Sequence, residues 1–453
     1  MRIKGMTLRF KDSRYGQLLL QIHSSLWFTP ALVVILMAAL AVGLTGFDRH
    51  ADDLLRQKWP RIFAVEAEGA RSMLSTIAGA MATIAGVAFS ITMVALALAS
   101  NQYTSRVMRN FMRDRANQVV LGIFMGVFIY CLLVLRTLSG GQGAFVPAAA
   151  VFGALVLAVV ASGAFLYFVH HLSASIQASD MAQAITHETL AAIDEMYPDA
   201  AHRDSRPALP PDARTWHAVP SLDWGYIQSI AEPRLLALAC RYDTVIRVEC
   251  QVGDFVGPGQ RLLSLATEQA PDRRMVAELN RTVGVDAYRT MEQDPAFGFR
   301  QLVDMAIKAL SPGINDTTTA VTCLEHLGVA LEHCARRDLA PRHCHEGGVL
   351  RLIVKRDDFE DFVTLAFGQI IENAEGNTAV MLKVLATIEK VADACRQPHM
   401  PHMHEALRRQ ADIVEEVALR SAKSAAAGSA LRKALDRVRR QDAETLPAAR
   451  TVG

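Results

Sequence analysis

The residues whose types and spacing could do chemistry crowd into one stretch, 281–320, which reads RTVGVDAYRTMEQDPAFGFRQLVDMAIKALSPGINDTTTA. Asp294, Arg300, Asp304, Lys308, Asn315 and Asp316 supply carboxylates, cations and an amide, the groups that move protons or hold a charged ligand. Their spacing favours a plainer role. Arg300, Asp304 and Lys308 follow one another at one helical turn, the pattern of an ion-pair ladder on a solvated face. Asp294-Pro295 marks the start of a helix in which Phe299, Leu302, Val303, Ala306, Ile307 and Leu310 repeat at helical steps as far as Ser311-Pro312-Gly313. Asn315 or Asp316 then caps a second helix through Leu331. Asp294, Arg300, Asp304, Ser311, Asn315 and Asp316 are therefore candidates for a ligand-sensing or structural turn, and no catalytic residue is assigned. The sequence contains no G-x-x-x-x-G-K-[ST] loop, nucleophile elbow or H-E-x-x-H pair, so the chain reads as not an enzyme and without a cofactor.

Cysteine and histidine form a second grouping. Cys323, His326, His333, Cys334, His343, Cys344 and His345 lie close in sequence, with His399, His402 and His404 further on. Structural zinc sites repeat a paired element at both ends of a loop, and only Cys323-x-x-His326 has that shape. The grouping is read as helix and loop residues, with no metal. The cysteines number 7, odd and scattered, which suits a reducing compartment better than a disulfide framework.

A third pattern is a stripe of small and hydroxylated residues in the uncharged run 72–105. Ser72, Thr76, Gly79, Thr83, Gly86, Ser90, Met93, Ala97 and Ser100 alternate steps of four and three and so share one helix face. The adjoining face, with Met73, Ile77, Ala80, Ile84, Val87, Ile91, Val94 and Leu98, is bulky and apolar. Small residues let transmembrane helices approach closely, and hydroxyls bond back to their own carbonyls. The same stripe could instead line a water-filled path in an oligomer. Just beyond it Arg106, Arg109, Arg113 and Arg115 form a basic loop, a cytoplasmic mouth favouring anions or a contact for lipid phosphates.

The elements that carry these residues divide the chain sharply. Hydrophobic residues make up 51% of it, with a net charge of +1, and no basic face with interleaved aromatics invites nucleic acid. Apolar spans fall at about 26–44, 72–106, 119–138 and 146–169, the third carrying Gly122-x-x-x-Gly126. Basic residues precede the first span and follow the second, whereas 139–145 has none, so the positive-inside rule places both termini in the cytoplasm of a bacterial inner membrane. The connection 47–71 resists that assignment with Arg49, Arg56, Lys58, Arg61 and Arg71, balanced by acids including Asp48, and reads as an amphipathic helix at the outer surface.

Expected boundaries are a cytoplasmic segment 1–24, a four-helix membrane domain 25–170, an amphipathic stalk helix 171–198, a proline-rich linker 199–215, a small β domain 216–270, a helical α+β domain 271–420 and a basic helix and tail 421–453. Strands are expected near 225–230, 235–240, 244–250, 261–265 and 349–354, and helices near 359–373, 378–395 and 404–419. The piece VGDFVGPGQRLLSL resembles the strand-joining turn of barrel-sandwich hybrids such as biotinyl and lipoyl carriers, but no lysine occupies the hairpin tip that a carrier needs.

Four spans, a hybrid-like barrel and a D-P-x-F-G-x-R-Q-L-V-D…A-L-S-P-G-I-N-D…T-A segment together resemble the bacterial predicted integral membrane proteins of domain of unknown function 2254. The run 89–106, F-S-I-T-M-V-A-L-x-L-A-S-x-Q-Y-x-S-R, belongs to that likeness. Members often place proline after I-N-D, where this chain has Thr317. The resemblance implies architecture and no reaction. The chain is thus expected to be a four-helix membrane protein with a cytoplasmic α+β module, working as a homo-oligomeric channel or passive pore lined by its second helix. Its expected partners are itself, membrane lipids and a small ion or ligand. The competing expectation is a membrane-anchored sensor or scaffold that conducts nothing.

Overall fold

A computed structural model of the chain describes residues 27–58, 67–102, 115–138, 146–175, 177–199, 215–395, 401–421 and 424–445. They form two compact units, divided between Gln177 and Ala178.

The first unit is four long helices: α1 (Phe28–Lys58), α2 (Ala67–Gln102), α3 (Arg115–Thr137) and α4 (Ala148–Ser175). Each contains a window long and apolar enough to cross a membrane: Phe28–Asp48, Ala67–Ala97, Arg115–Thr137 and Ala148–Leu172. α3 is the hub, packing against α1, α2 and α4. Its glycines explain how. A Cβ on Gly122 would stand 3.0 Å from Pro30 Cα, and one on Gly126 would stand 2.7 Å from Met37 Cγ, so the Gly122-x-x-x-Gly126 pair lets α1 approach. Phe124, Val127, Tyr130, Cys131 and Val134 complete the buried face of α3.

The second unit opens with α5 (Ala178–Met196), the amphipathic helix expected as a stalk. It buries Ala182, Ile185, Thr186, Thr189, Ala192 and Ile193. Its neighbours are α8 (Pro295–Leu310) and α9 (Thr317–Cys334), so it is an integral helix of this unit.

Two sheets follow. The larger has the order β1 (Trp216–Pro220), β5 (Arg261–Ala266), β3 (Ile246–Val248), β8 (Val349–Val354), β7 (Arg342–Glu346), with only β3 and β8 parallel. The smaller is antiparallel, β4 (Phe255–Val256), β2 (Gly225–Ile230), β6 (Val283–Asp286). Strands from 283–286 and 342–354 thus complete sheets begun in 216–266, and the β structure reaches beyond the expected 216–270 segment.

Residues 235–240, expected as a strand, lie in α6 (Glu232–Arg241), and α7 (Arg273–Asn280) follows. Pro233 suits a helix's first turn, and Leu235, Leu238 and Ala239 bury one helical face against β3 and β8.

Helices α10 (Phe359–Asn373), α11 (Thr378–Ala394), α12 (Pro401–Ser421) and α13 (Ala425–Thr445) complete the unit. The basic α13 is anchored through Leu431, Ala434, Leu435 and Val438, with Arg437 paired to Glu389 at 3.4 Å and Arg439 to Asp412 at 3.1 Å.

Candidate functional site

In the membrane unit, the described stripe residues Ser72, Thr76, Gly79, Thr83, Gly86, Ser90, Met93 and Ala97 are all exposed. Among the described residues, no atom outside the local backbone of α2 comes within 4 Å of a Cβ built on Gly79 or Gly86. The helices of this chain instead take the opposite side of α2, burying Ala70, Leu74, Ala78, Met81, Ala85, Ala88 and Ala95. The Thr76 hydroxyl donates to Ser72 O at 2.8 Å and that of Thr83 to Gly79 O at 3.0 Å, so both are satisfied within α2. Among the described residues, the stripe is therefore left uncovered by the other helices of the chain. Ser100 belongs to α2, but its side chain, together with Arg106, Arg109 and Arg113, lies outside the described residues; Arg115 is exposed at the first position of α3.

Asp48 corrects the expected outer connection. α1 continues through it to Lys58, and the residue is completely buried. Its Oδ1 accepts the Ala149 N–H at 3.1 Å and its Oδ2 the Ala150 N–H at 3.0 Å, which caps α4 from another helix. A buried carboxylate therefore sits at the end of a span. Close by, the Tyr130 hydroxyl donates to Ala150 O at 2.8 Å, and a Cβ on Gly153 would stand 2.7 Å from its oxygen. Asn117, in the first turn of α3, is buried, and among the described residues neither of its side-chain amide atoms has a hydrogen-bond partner.

In the soluble unit the expected cluster of 294–316 separates. Asp294 caps the start of α8 and Ser311 its end. Sixteen residues of helix put roughly 24 Å between them. Arg300 and Asp304 pair at 2.9 Å along the flank. At the far end Asn315 takes φ 50°, and Asp316 caps α9 by accepting the Thr319 N–H at 3.1 Å. The Thr319 hydroxyl also donates to Asp316, and this bond, first among the causes, lowers the carboxyl below its usual range. Thr317 accepts the Asn377 side chain at 2.9 Å and so ties this turn to the start of α11. Ser311, Asn315 and Asp316 are thus a helix-to-helix turn remote from Asp294.

Asp294 belongs to a different set. It is 2% exposed and accepts the Phe297 N–H at 2.9 Å, with Arg289 Nε at 2.8 Å from Oδ2 and Nη2 at 2.9 Å from Oδ1. Burial pushes its carboxyl above the usual range, and the guanidinium of Arg289 opposes that shift. Gly253 lets Arg289 in: at φ +95° its Cβ would lie 2.5 Å from Arg289 Nη2.

The cleft beside this pair encloses about 400 Å³ counted out to open solvent, with room inside for water-sized occupants. Tyr197, Glu232, Gln251, Gln293, Lys355, Arg356 and Asp357 share its wall with Asp294. Arg356, nearly buried, donates to Met196 O and to Glu232 Oε1 at 2.6 Å. The Tyr197 hydroxyl donates to Asp357 O at 3.1 Å. With the Gln251 amide oriented to satisfy both partners, it donates to Asp357 Oδ1 at 3.2 Å and accepts the Asp357 N–H at 3.3 Å. Burial, then the negative charges of Asp361, Asp294 and Asp254, push the Asp357 carboxyl up to about 7. Sequence reading missed these partners because they come from five separate segments; the polar run Lys355–Asp358 at the end of a strand was the only local signal.

The cysteines and histidines disperse. Cys323 and Cys334 are buried in α9, and burial pushes the Cys323 thiol up to about 12. His326 Nδ1 lies 2.9 Å from the Thr186 hydroxyl and His333 Nε2 lies 2.6 Å from Asp194 Oδ1, both joining α9 to α5. His343, Cys344 and His345 are on β7, and buried His404 meets Cys395 O at 3.3 Å. Among the described residues no group of three His, Cys, Asp or Glu side chains is arranged to hold a metal ion.

Comparison with known proteins adds a family. Residues 23–390 match the family model described as predicted membrane protein, DUF2254. Uncharacterized proteins of Mycobacterium bovis and Mycobacterium tuberculosis are 34% identical over 348 residues, covering 73% of this chain. The aligned region spans 65% of the length of those curated relatives. No solved structure matches the chain.

Proposed function

We propose, for a chain that belongs to the DUF2254 family of predicted membrane proteins, a homo-oligomeric channel or passive pore in a bacterial cytoplasmic membrane, both termini inside, with the soluble unit as its regulatory module. One observation carries the reading: among the described residues, the most polar face of α2 points away from the other helices of its own chain. Copies of α2 around an axis would bring Thr76, Thr83 and Ser90 towards a permeant, and Gly79 and Gly86 would let the helices approach or rotate. Arg115 and the basic residues before it would set the potential at the cytoplasmic mouth, where they favour anions or meet lipid phosphates.

A specific observation also supports the second reading, a sensor or scaffold whose stripe only joins copies. Thr76 and Thr83 already spend their protons on their own helix, which suits a helix interface. Both readings require self-association, so subunit stoichiometry in native lipid comes first, and a monomer overturns both. Planar bilayers then separate them: the pore reading expects a current in the wild type that Gly86→Leu blocks and Thr83→Val changes in selectivity or conductance. Silence of the wild type over a range of voltage, tension and salt leaves the scaffold.

A further inference from the structure

We propose that Asp357 is a proton-operated latch on the first helix of the soluble unit, fastened when its carboxyl is protonated and loosened when it ionises. The geometry comes first. Asp357 lies in the joint between β8 and α10, and that joint holds the end of α5 at two places: Arg356 grips Met196 O, and Asp357 O accepts the Tyr197 hydroxyl at 3.1 Å. The Tyr197 ring, edge-on to Phe362 with centroids 6.1 Å apart, carries the contact into the core. Whatever displaces the backbone of residue 357 therefore pulls on residues 196–197.

The charges around that carboxyl are lopsided. Asp361 faces it from α10, Asp294 from the start of α8 and Asp254 from the turn before β4, whereas Arg289 is the opposing cation and is already committed to Asp294 by two bonds. Neutral groups complete the shell: Gln251 before β4, Tyr197 after α5, and the buried Cys334 thiol of α9. Lys355 on the same joint is exposed, Arg356 is engaged by Glu232 of α6 at 2.6 Å, and Arg342 of β7 lies 2.9 Å from the other Glu232 oxygen. An ionised Asp357 thus adds its charge to those of Asp361, Asp294 and Asp254, with Arg289 the cation that opposes them.

The sign follows from linkage. A carboxyl held up at about 7 in the fold binds a proton more tightly fastened than open, so the latch is firm at acid pH. Its stability falls as pH rises from the ordinary carboxylate range through about 7, and falls no further above that. Asp294, whose carboxyl is also pushed up, contributes in the same direction. The proposal does not depend on the pore reading, since it concerns the soluble unit alone.

Hydrogen exchange of the full-length protein in nanodiscs tests it, with rates corrected for the intrinsic effect of pH. Between pH 6 and 8 the opening constant of residues 193–199 in the wild type should rise about tenfold. Asp357→Asn keeps the Gln251 contact and cannot ionise, so it should stay at the protected level across that range. Asp361→Asn removes the neighbouring charge that raises the carboxyl most, and should move the wild-type midpoint to lower pH. A flat wild type, an Asp357→Asn variant with the wild-type slope, or a midpoint unmoved by Asp361→Asn overturns the proposal. The last comparison decides the matter even if Asp357→Asn fails to fold.

Discussion

Asp48 and Asp294 are both fully or almost fully buried carboxylates that receive backbone N–H groups at the start of a helix, and they do different work. Asp294 caps its own helix and is held by Arg289 five residues earlier, so its contacts are nearly all local. Asp48 caps a helix whose first turn lies about a hundred residues away. A cap drawn from the adjoining residue fixes where one helix begins. A cap drawn from another helix also fixes how two helices pair, and here the capping carboxylate is completely buried. The soluble unit uses a buried charge to set a local boundary, and the membrane unit uses one as a tertiary fastening.

The largest effect expected from this contrast is at Asp48. Asp48→Ala leaves the Ala149 and Ala150 N–H groups without their carboxylate, and two hydrogen bonds to a buried carboxylate lost together cost roughly 3 kcal/mol or more. Asp48→Asn keeps one acceptor and should recover part of that. Unfolding in mixed micelles by titration with a denaturing detergent, followed by circular dichroism, measures both; wild-type stability in Asp48→Ala would remove the fastening role.

At Arg289 the expected effect is smaller, because the cation is partly exposed and Asp294 can take up a proton. Arg289→Met strands a buried carboxylate and should cost on the order of 2 kcal/mol near pH 8. Asp294 is raised above its ordinary value even with Arg289 present, so it destabilises the fold as pH rises; without the cation that slope steepens. The deficit of the variant should accordingly shrink towards pH 5. A deficit that is the same at pH 5 and pH 8 would mean that Arg289 acts through packing on Phe297, over whose ring its guanidinium also lies at 5.2 Å, rather than through charge.

What was legible in the sequence tracks the same division between local and distant. Asp294-Pro295, the apolar steps of α8, Asp316 before α9 and the strand 349–354 were readable because each signal and its consequence lie within a few residues. The four spans were readable from hydropathy, and Gly122-x-x-x-Gly126 from spacing. Leu235–Cys240 was misread as a strand because a short apolar run has no clear period, and Pro233 two residues earlier was the overlooked sign of a helix start. The roles of Asp48 and Asp357 were not legible at all, since each depends on partners delivered by tertiary packing. Proximity in sequence also misled: Asp294 and Asp316 looked like one cluster until the length of α8 separated them.

Asp316 therefore supplies the smallest and most diagnostic test of that separation. As a local cap, with its carboxylate bonded to the Thr319 backbone and hydroxyl, Asp316→Ala should cost about 1 kcal/mol, and Asp316→Asn or Asp316→Ser should restore most of it. Its lowered carboxyl places that contribution above the ordinary aspartate range, so the difference between wild type and Asp316→Ala should persist at neutral pH and disappear on acidification below that range. Because α8 separates this turn from the cleft, Asp316→Ala should leave the hydrogen exchange of residues 193–199 and its pH dependence unchanged. Thermal unfolding across pH, with the same exchange measurement, checks both statements. If removal of Asp316 changed the exchange of residues 193–199 or its pH dependence, the two ends of α8 would be one site after all, and the turn 311–316 would regain the ligand-sensing role that its spacing first suggested.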